Sequence, residues 1–338
     1  MGDKRPVAWP LAWLDLCQAQ GLLSLDLRPQ SVNELWQFSK HTPPSASDRP
    51  PRGSSAAKHL LHVNSGPIVK RSGRLQVSGA ELYYELEGTG AAVVLVHGFA
   101  LDTRMWDEQV PELRDIATVV RFDLRGHGRS SGPAPGVPYS YSGDLLAVLD
   151  HLGIANALLV GLSMGGLAVL HTTLVAPERV RGLVLLDSVL DGVSWDDESR
   201  RAMVAVNEVG ATKGVEAAKD LWLAHPLFSA ARRNAAVAAR LAAMVGDYSG
   251  IDWIQEDPAS PLNPRPIEAL EHVAVPTNVV VGELDVPCFL TMAEVLASRI
   301  PGAVKTTVPD AGHMVNMEAP DVVNALLRKA ITTAHVAK

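Results

Sequence analysis

Cysteine is nearly absent. The 338 residues hold two, Cys17 and Cys288, far apart and outside any CxxC or Cys/His cluster. That spacing excludes a disulfide framework and a structural zinc site. Long apolar runs are missing as well, since none approaches the ~20 residues that cross a bilayer. Positive charge is in deficit, with 30 Lys and Arg against 37 Asp and Glu and a net charge of −7. The basic residues form no stripe, so a nucleic-acid partner is not expected. No internal repeat is visible. What is present is apolar residue in quantity, 47% of the chain, enough for a large α/β domain or two modest ones.

The first seventy residues read differently from the rest. Lys4 and Arg5 precede an apolar stretch, Val7 to Leu14, that has the outline of an export signal. Pro10 breaks it, Asp15 ends it, and no Ala-x-Ala site follows, so the chain is expected to be cytoplasmic. Residues 41–57 are rich in Pro and Ser, a linker composition. Residues 1–72 are therefore expected to be a poorly structured extension that adds nothing to the chemistry.

Ordered structure is expected from about Gly73. Residues 74–77 and 81–86 alternate apolar and polar, as half-buried antiparallel strands do. A continuous apolar run follows at 91–96, the pattern of a strand covered on both faces, and further strands are expected at 118–122, 157–160, 182–186 and 278–281. Helical stretches are expected between them, at about 103–114, 141–152, 164–175 and 289–299, with a last strand at 304–308 and a last helix at 321–333. Strands alternating with helices imply a mostly parallel, doubly wound sheet. The alternation stops between Ser188 and Ala269, where Ala-rich helical segments appear at 198–209, 215–224 and 229–244, punctuated by Trp195, Trp222, Phe228 and Trp253. The fold class expected is thus α/β, with residues 73–187 and 270–338 as its core and residues 188–269 as a helical cap inserted after the sixth strand.

One stretch organises the rest. Gly161-Leu162-Ser163-Met164-Gly165-Gly166 stands between an apolar strand and an apolar helix. Gly-x-Ser-x-Gly at such a corner is a nucleophile elbow: the serine occupies a sharp, strained turn, and glycines flank it because strand and helix run too close for side chains. Taken alone, the pattern is also that of a tight turn. Its context supplies the other parts that serine chemistry needs. Asp285 follows the seventh strand in Gly282-Glu283-Leu284-Asp285, and His313 follows the eighth in Pro309-Asp310-Ala311-Gly312-His313. Ligand chemistry in an open α/β sheet collects at the carboxyl ends of the strands. The order Ser163, Asp285, His313 is nucleophile, acid, base. Asp187, after the sixth strand, is a second candidate for the acid. Asp285 is favoured because Gly-Glu-Leu-Asp and its spacing to His313 match the usual arrangement of such sites. His97 is expected to shape a loop, Asp123 and His127 to serve the glycine-rich turn 123–130, His151 to lie at the surface, and Cys288 to be a small buried residue.

These residues, with His97-Gly98-Phe99 and Asp123-Leu124-Arg125-Gly126-His127-Gly128-Arg129-Ser130, resemble the α/β-hydrolase superfamily over about residues 73–333. The resemblance is nearest to its esterase and lactonase branch, which includes 3-oxoadipate enol-lactonases. It implies a small-molecule ester or lactone as substrate, with no metal, no cofactor and no membrane partner. Ser163 would attack a carbonyl carbon, His313 would take the hydroxyl proton, and Asp285 would orient the imidazole. The same resemblance implies backbone N–H groups of Phe99 and Met164 as an oxyanion hole. Gly98 and Trp106 are candidate substrate contacts. Relatives with Asp at the elbow, the haloalkane dehalogenases and epoxide hydrolases, do not fit Ser163. Carbon–carbon bond hydrolysis of vinylogous diketones and a slow-turnover ligand receptor remain alternatives. Oligomeric state is not legible.

Overall fold

The computed structural model describes residues 70–336 except residue 256. Residues 1–69 of the expected extension, its linker included, lie outside the described residues. The first strand starts slightly earlier than the composition suggests, with Arg71 already paired with Leu86.

Eight strands form one sheet: β1 (Arg71–Val77), β2 (Ala80–Gly88), β3 (Ala91–Val96), β4 (Ala117–Phe122), β5 (Ala157–Leu162), β6 (Val180–Leu186), β7 (Thr277–Gly282) and β8 (Val304–Val308). Their spatial order is β1-β2-β4-β3-β5-β6-β7-β8. β1 and β2 are antiparallel, as is the β2–β4 pair, and every later pairing is parallel. Burial follows from composition. All six residues of β5 (ALLVGL) are buried, whereas edge strand β8 (VKTTV) is largely exposed and carries Lys305.

The longer helices are α1 (Tyr141–His151), α2 (Met164–Val175), α3 (Asp197–Lys213), α4 (Val215–Leu223), α5 (Ala235–Asp247), α6 (Pro287–Arg299) and α7 (Pro320–Val336). Ser140 caps α1 by accepting from the Gly143 amide at 3.0 Å. α2 is buried along ten of its twelve residues, which its near-uniform apolar sequence dictates. Between β6 and β7 the chain holds α3, α4 and α5 and no strand among the described residues. α3 buries Ser199, Met203, Val206 and Gly210, one face at helical spacing.

Two expected helices differ. The stretch 103–114 splits into short turns, Thr103–Trp106 and Val110–Leu113. Pro111 has no N–H to continue the first turn, so it opens a second one instead. The stretch 229–244 begins its α-helix only at Ala235, because Asn234 accepts from the amides of Ala236 and Val237 and caps it there.

The strand order fixes where chemistry can sit. From β3 the chain moves to β4 on one side, then returns to β5 on the other. The crevice beyond the carboxyl ends of β3 and β5 is the topological switch point. Gly98 and Ser163 stand there, and a Cβ placed on Gly98 would lie 3.4 Å from that of Ser163.

Candidate active site

Ser163 joins β5 to α2 with φ 55° and ψ −116°, a conformation that L-residues rarely adopt. The glycines around it are required by contact. A Cβ on Gly161 would strike the Gly165 carbonyl, one on Gly165 would strike the carbonyls of Val96 and His97, and one on Gly166 would strike Ser188. The Ser163 amide donates to Leu186 O at 3.0 Å, and its carbonyl accepts from the Val189 amide at 3.1 Å. Strain is general at this edge. The other non-glycine residues of positive φ among those described are Ala100, Asp187 and Asp310, which follow β3, β6 and β8.

His313 and Asp285 come from different strand ends and meet. His313 Nδ1 lies 2.9 Å from Asp285 Oδ2, and both side chains are buried. Asp285 Oδ1 accepts from the Val286 amide at 2.7 Å. The two loops are tied by main chain, Glu283 N to Val308 O at 2.9 Å and Leu284 N to Ala311 O at 2.8 Å. The Phe289 ring packs edge-on against the imidazole with centroids 4.3 Å apart. His313 and Ser163 line one cavity of about 580 Å³, together with Gly98, Phe99 and Met164.

Asp187 lies close to this pair but is bonded differently. Its Oδ1 accepts from the Gly282 amide at 2.8 Å. Burial, and then the neighbouring Asp285 carboxylate, push its carboxyl well above the ordinary range. Donor atoms of Asp187, Asp285 and His313 gather within 4.8 Å, the one such cluster among the described residues that could hold a metal ion. The His313 nitrogen and the Asp285 oxygen in contact there already engage each other.

The remaining candidates sort by what they touch. His97 is fully buried: Nδ1 lies 2.8 Å from Gly98 O and Nε2 accepts from the Leu124 amide at 2.9 Å. Burial, then the neighbouring His127, hold it down at about 3. It braces the loops after β3 and β4. Asp123 accepts from the amides of Thr103 and Arg129 at 2.7 and 2.8 Å and organises the turn beside it. His127 meets Arg125 O at 2.9 Å and stacks on Tyr248. His151 is exposed and pairs with the Tyr84 hydroxyl at 3.0 Å. Cys288 is buried, and burial pushes its thiol up to about 12, which leaves no thiolate near neutrality. Trp106 corrects an expectation. It is fully buried in the core and lines no part of the cavity. The segment carrying it is pinned underneath the site, where Asn316 Nδ2 donates to Met105 O at 3.0 Å.

Two functional features escape the sequence. Glu318 Oε2 accepts from the Gly312 amide at 2.9 Å and Oε1 from the Met314 amide at 3.0 Å, so one carboxylate grips the main chain on both sides of His313. The spacing of Glu318 from His313 is its only signal. Phe99 is the second. Its ring meets Trp222, Tyr248 and Trp253 edge-on at 5.5, 5.7 and 6.0 Å between centroids. Those partners are more than a hundred residues away, so no local pattern points to them.

Comparison with known proteins agrees with this architecture. The model of the alpha/beta hydrolase family matches residues 93–326. A thermophilic esterase from Thermogutta terrifontis is 28% identical, with TM-score 0.67 over 78% of this chain and 100% of that one. The enol-lactonase from Burkholderia xenovorans is also 28% identical, with TM-score 0.65 over 77% of this chain and 100% of that one. The 3-oxoadipate enol-lactonase 1 of Acinetobacter baylyi is 26% identical over 78% of this chain and 95% of its own length. The chain belongs to the alpha/beta hydrolase family and resembles its esterase and lactonase branch.

Proposed function

We propose that this chain is a serine hydrolase that cleaves a carboxylic ester or lactone through an acyl-enzyme on Ser163. The observation that carries the reading is a strained serine at the head of α2 that shares a cavity with a histidine held 2.9 Å from a buried aspartate. A serine hydroxyl is too weakly acidic to attack unaided, so His313 takes its proton as Ser163 adds to the carbonyl carbon. Asp285 holds the imidazole by Nδ1, which leaves Nε2 for the serine, and stabilises the imidazolium. His313 then protonates the leaving alkoxide and activates water for deacylation.

The tetrahedral oxyanion needs donors already in place. The Met164 amide is the first of α2 and has no acceptor within the helix, and the positive end of the helix dipole adds to it. The Phe99 amide is the second donor of the reading. Each is worth about 3–4 kcal/mol. Residues 188–269 form the cap of this reading, with 73–187 and 270–338 as its core, which is supported by Trp195, Trp222, Leu227 and Phe228 lining the cavity together with Ser163 and His313.

The test is hydrolysis of short p-nitrophenyl esters beside a lactone panel, with wild type and Ser163→Ala compared. Turnover abolished by the substitution is the expected result. Activity that survives it overturns the nucleophile. Turnover confined to vinylogous diketones would move the reading to carbon–carbon hydrolysis by the same residues.

A further inference from the structure

The cavity is longer than the chemistry requires, and its two ends differ. Ser163, Leu167, Ala168 and His171 line it in succession. These positions share one face of α2, and eight residues at 1.5 Å each carry that face about 12 Å from the nucleophile. Near Ser163 the walls are apolar, with Phe99 against Trp222 at 5.5 Å and Trp222 against Phe228 at 5.2 Å. At the far end they are polar. His171 is buried, with Nδ1 3.0 Å from Ser142 Oγ and Nε2 3.4 Å from Asn263 O, the outer limit of a hydrogen bond.

Direction can be read from the sheet. His313 reaches the cavity from the β7–β8 side. α1, which carries Ser142, lies on the β2 side, where His151 at its end meets Tyr84. The leaving group must sit beside His313, which protonates it. The long arm of the cavity therefore faces the acyl group. Charge can be read as well. The two guanidiniums that line the cavity are already paired, Arg200 with Asp197 at 3.2 Å and Arg265 with Asp191 at 3.0 Å. Asp257 adds a third carboxylate to the lining. Burial lowers the His171 imidazole, which works against a cationic partner for an anion there. Nothing in this lining favours an anion at the far end.

Resting on the serine-hydrolase reading, we propose that the substrate carries an uncharged acyl chain of about ten bonds whose far end bears a hydroxyl or similar hydrogen-bonding group, bound by His171 and Ser142. An extended chain spans about 3.5 Å for every three bonds, which gives that count.

The test uses the full chain and the p-nitrophenyl esters of acetate, decanoate, 10-hydroxydecanoate and the mono-ester of decanedioate. The expected order of kcat/KM is hydroxydecanoate above decanoate, with the acidic chain at least tenfold below the hydroxylated one. His171→Leu should shrink the advantage of hydroxydecanoate over decanoate by about three- to tenfold, the worth of one uncharged hydrogen bond. Ser142→Ala should do the same, and it perturbs packing less. Ala168→Phe should move the preferred length from about ten carbons to about six. Equal turnover of the acidic and hydroxylated chains, or an unchanged hydroxyl preference in both His171→Leu and Ser142→Ala, overturns the proposal. Labelling of Ser163 by a fluorophosphonate, read by mass spectrometry, keeps the two readings apart. Labelling with no discrimination between chains defeats the acyl-arm proposal alone, and absence of labelling defeats the nucleophile and the arm together.

Discussion

The carboxyl edge of the sheet and residues 188–269 wall the same cavity but are held in different ways. At the edge, main chain bonds to main chain: Ser163 N to Leu186 O, Asp187 N to Val280 O, and Leu284 N to Ala311 O, all between 2.8 and 3.0 Å. Residues 188–269 meet the core main chain to main chain near their two ends, Val189 N to Ser163 O at 3.1 Å and Ser260 N to Tyr139 O at 2.7 Å, and side chains hold much of the stretch between. Trp222, Tyr248 and Trp253 close on Phe99, and Trp222 packs on Phe228. Bond-making tolerates errors of only about half an ångström, which a strand end can guarantee. Recognition of the proposed acyl chain would tolerate more, which packed rings can supply. One device recurs in both regions. His97 at the edge and His225 in the inserted segment each brace two backbone segments, His225 meeting Ser199 O at 3.2 Å and accepting from the Leu227 amide at 3.2 Å.

The comparison is tested most severely at the edge. Ser163→Ala is expected to slow turnover about a millionfold, the scale seen when a triad nucleophile is removed. Asp285→Asn should slow it about ten-thousandfold through loss of the correct tautomer. Asp187→Asn should cost less than about tenfold, since Asn keeps the oxygen that serves the Gly282 amide and burial disfavours the charged carboxylate it replaces. Steady-state kinetics on one good ester decides the pair. A larger loss in Asp187→Asn than in Asp285→Asn would move the acid to the end of β6. Glu318→Gln comes next. It keeps one acceptor for the two amides beside His313, so the loop shifts and turnover should fall by about ten- to a hundredfold.

The bracing imidazoles sharpen the comparison through pH. Burial first of all lowers His97 to about 3 and His225 to about 4. An unfolded histidine titrates near 6.5, so between that pH and about 4 the unfolded chain binds the extra protons. Stability then falls as pH falls, by up to about 1.4 kcal/mol per pH unit for each ring. Asp252, which burial pushes up to about 7, works with the opposite sign over the same range and masks part of the slope. The difference between wild type and His225→Gln removes that masking. Urea titrations from pH 6.5 to 4.5 should show a shallower acid slope in the variant by up to about 1.4 kcal/mol per pH unit. Equal slopes would mean that the cap imidazole is not neutral in the folded chain.

Legibility follows the same division. β3 and β5 are continuous apolar runs and β6 and β7 each carry one, at Leu183–Leu186 and Val279–Val281, so they can be read without knowing their neighbours. Ser163, Asp285 and His313 stand next to such runs, in short patterns whose meaning is local. Other parts depend on distant partners. Glu318 acts on amides reached only when its turn folds back, His171 depends on Ser142 from another helix, and the Phe99 ring depends on residues 222–253. Trp106 misleads for the same reason, since an aromatic near a site loop looks the same in sequence whether it faces the cavity or the core. The break at Pro111 is visible, but only as a proline within an otherwise helical pattern.

Phe99 belongs to both regions, and it carries the smallest expected effect on chemistry. Its amide is a proposed oxyanion donor, and its ring anchors the inserted segment to the loop after β3. Phe99→Leu leaves the N–H in place and removes the edge-to-face contacts, each worth about 0.5–1.5 kcal/mol. If the main chain alone positions the edge, turnover of a small ester should fall less than about threefold, while stability drops by about 1–3 kcal/mol and KM for long acyl chains rises. Chemical denaturation and a two-ester kinetic comparison measure both sides. If turnover instead falls by about a hundredfold or more, the ring also sets the position of the amide. The division between a backbone-fixed edge and a side-chain-fixed cap would then fail at the residue that joins them.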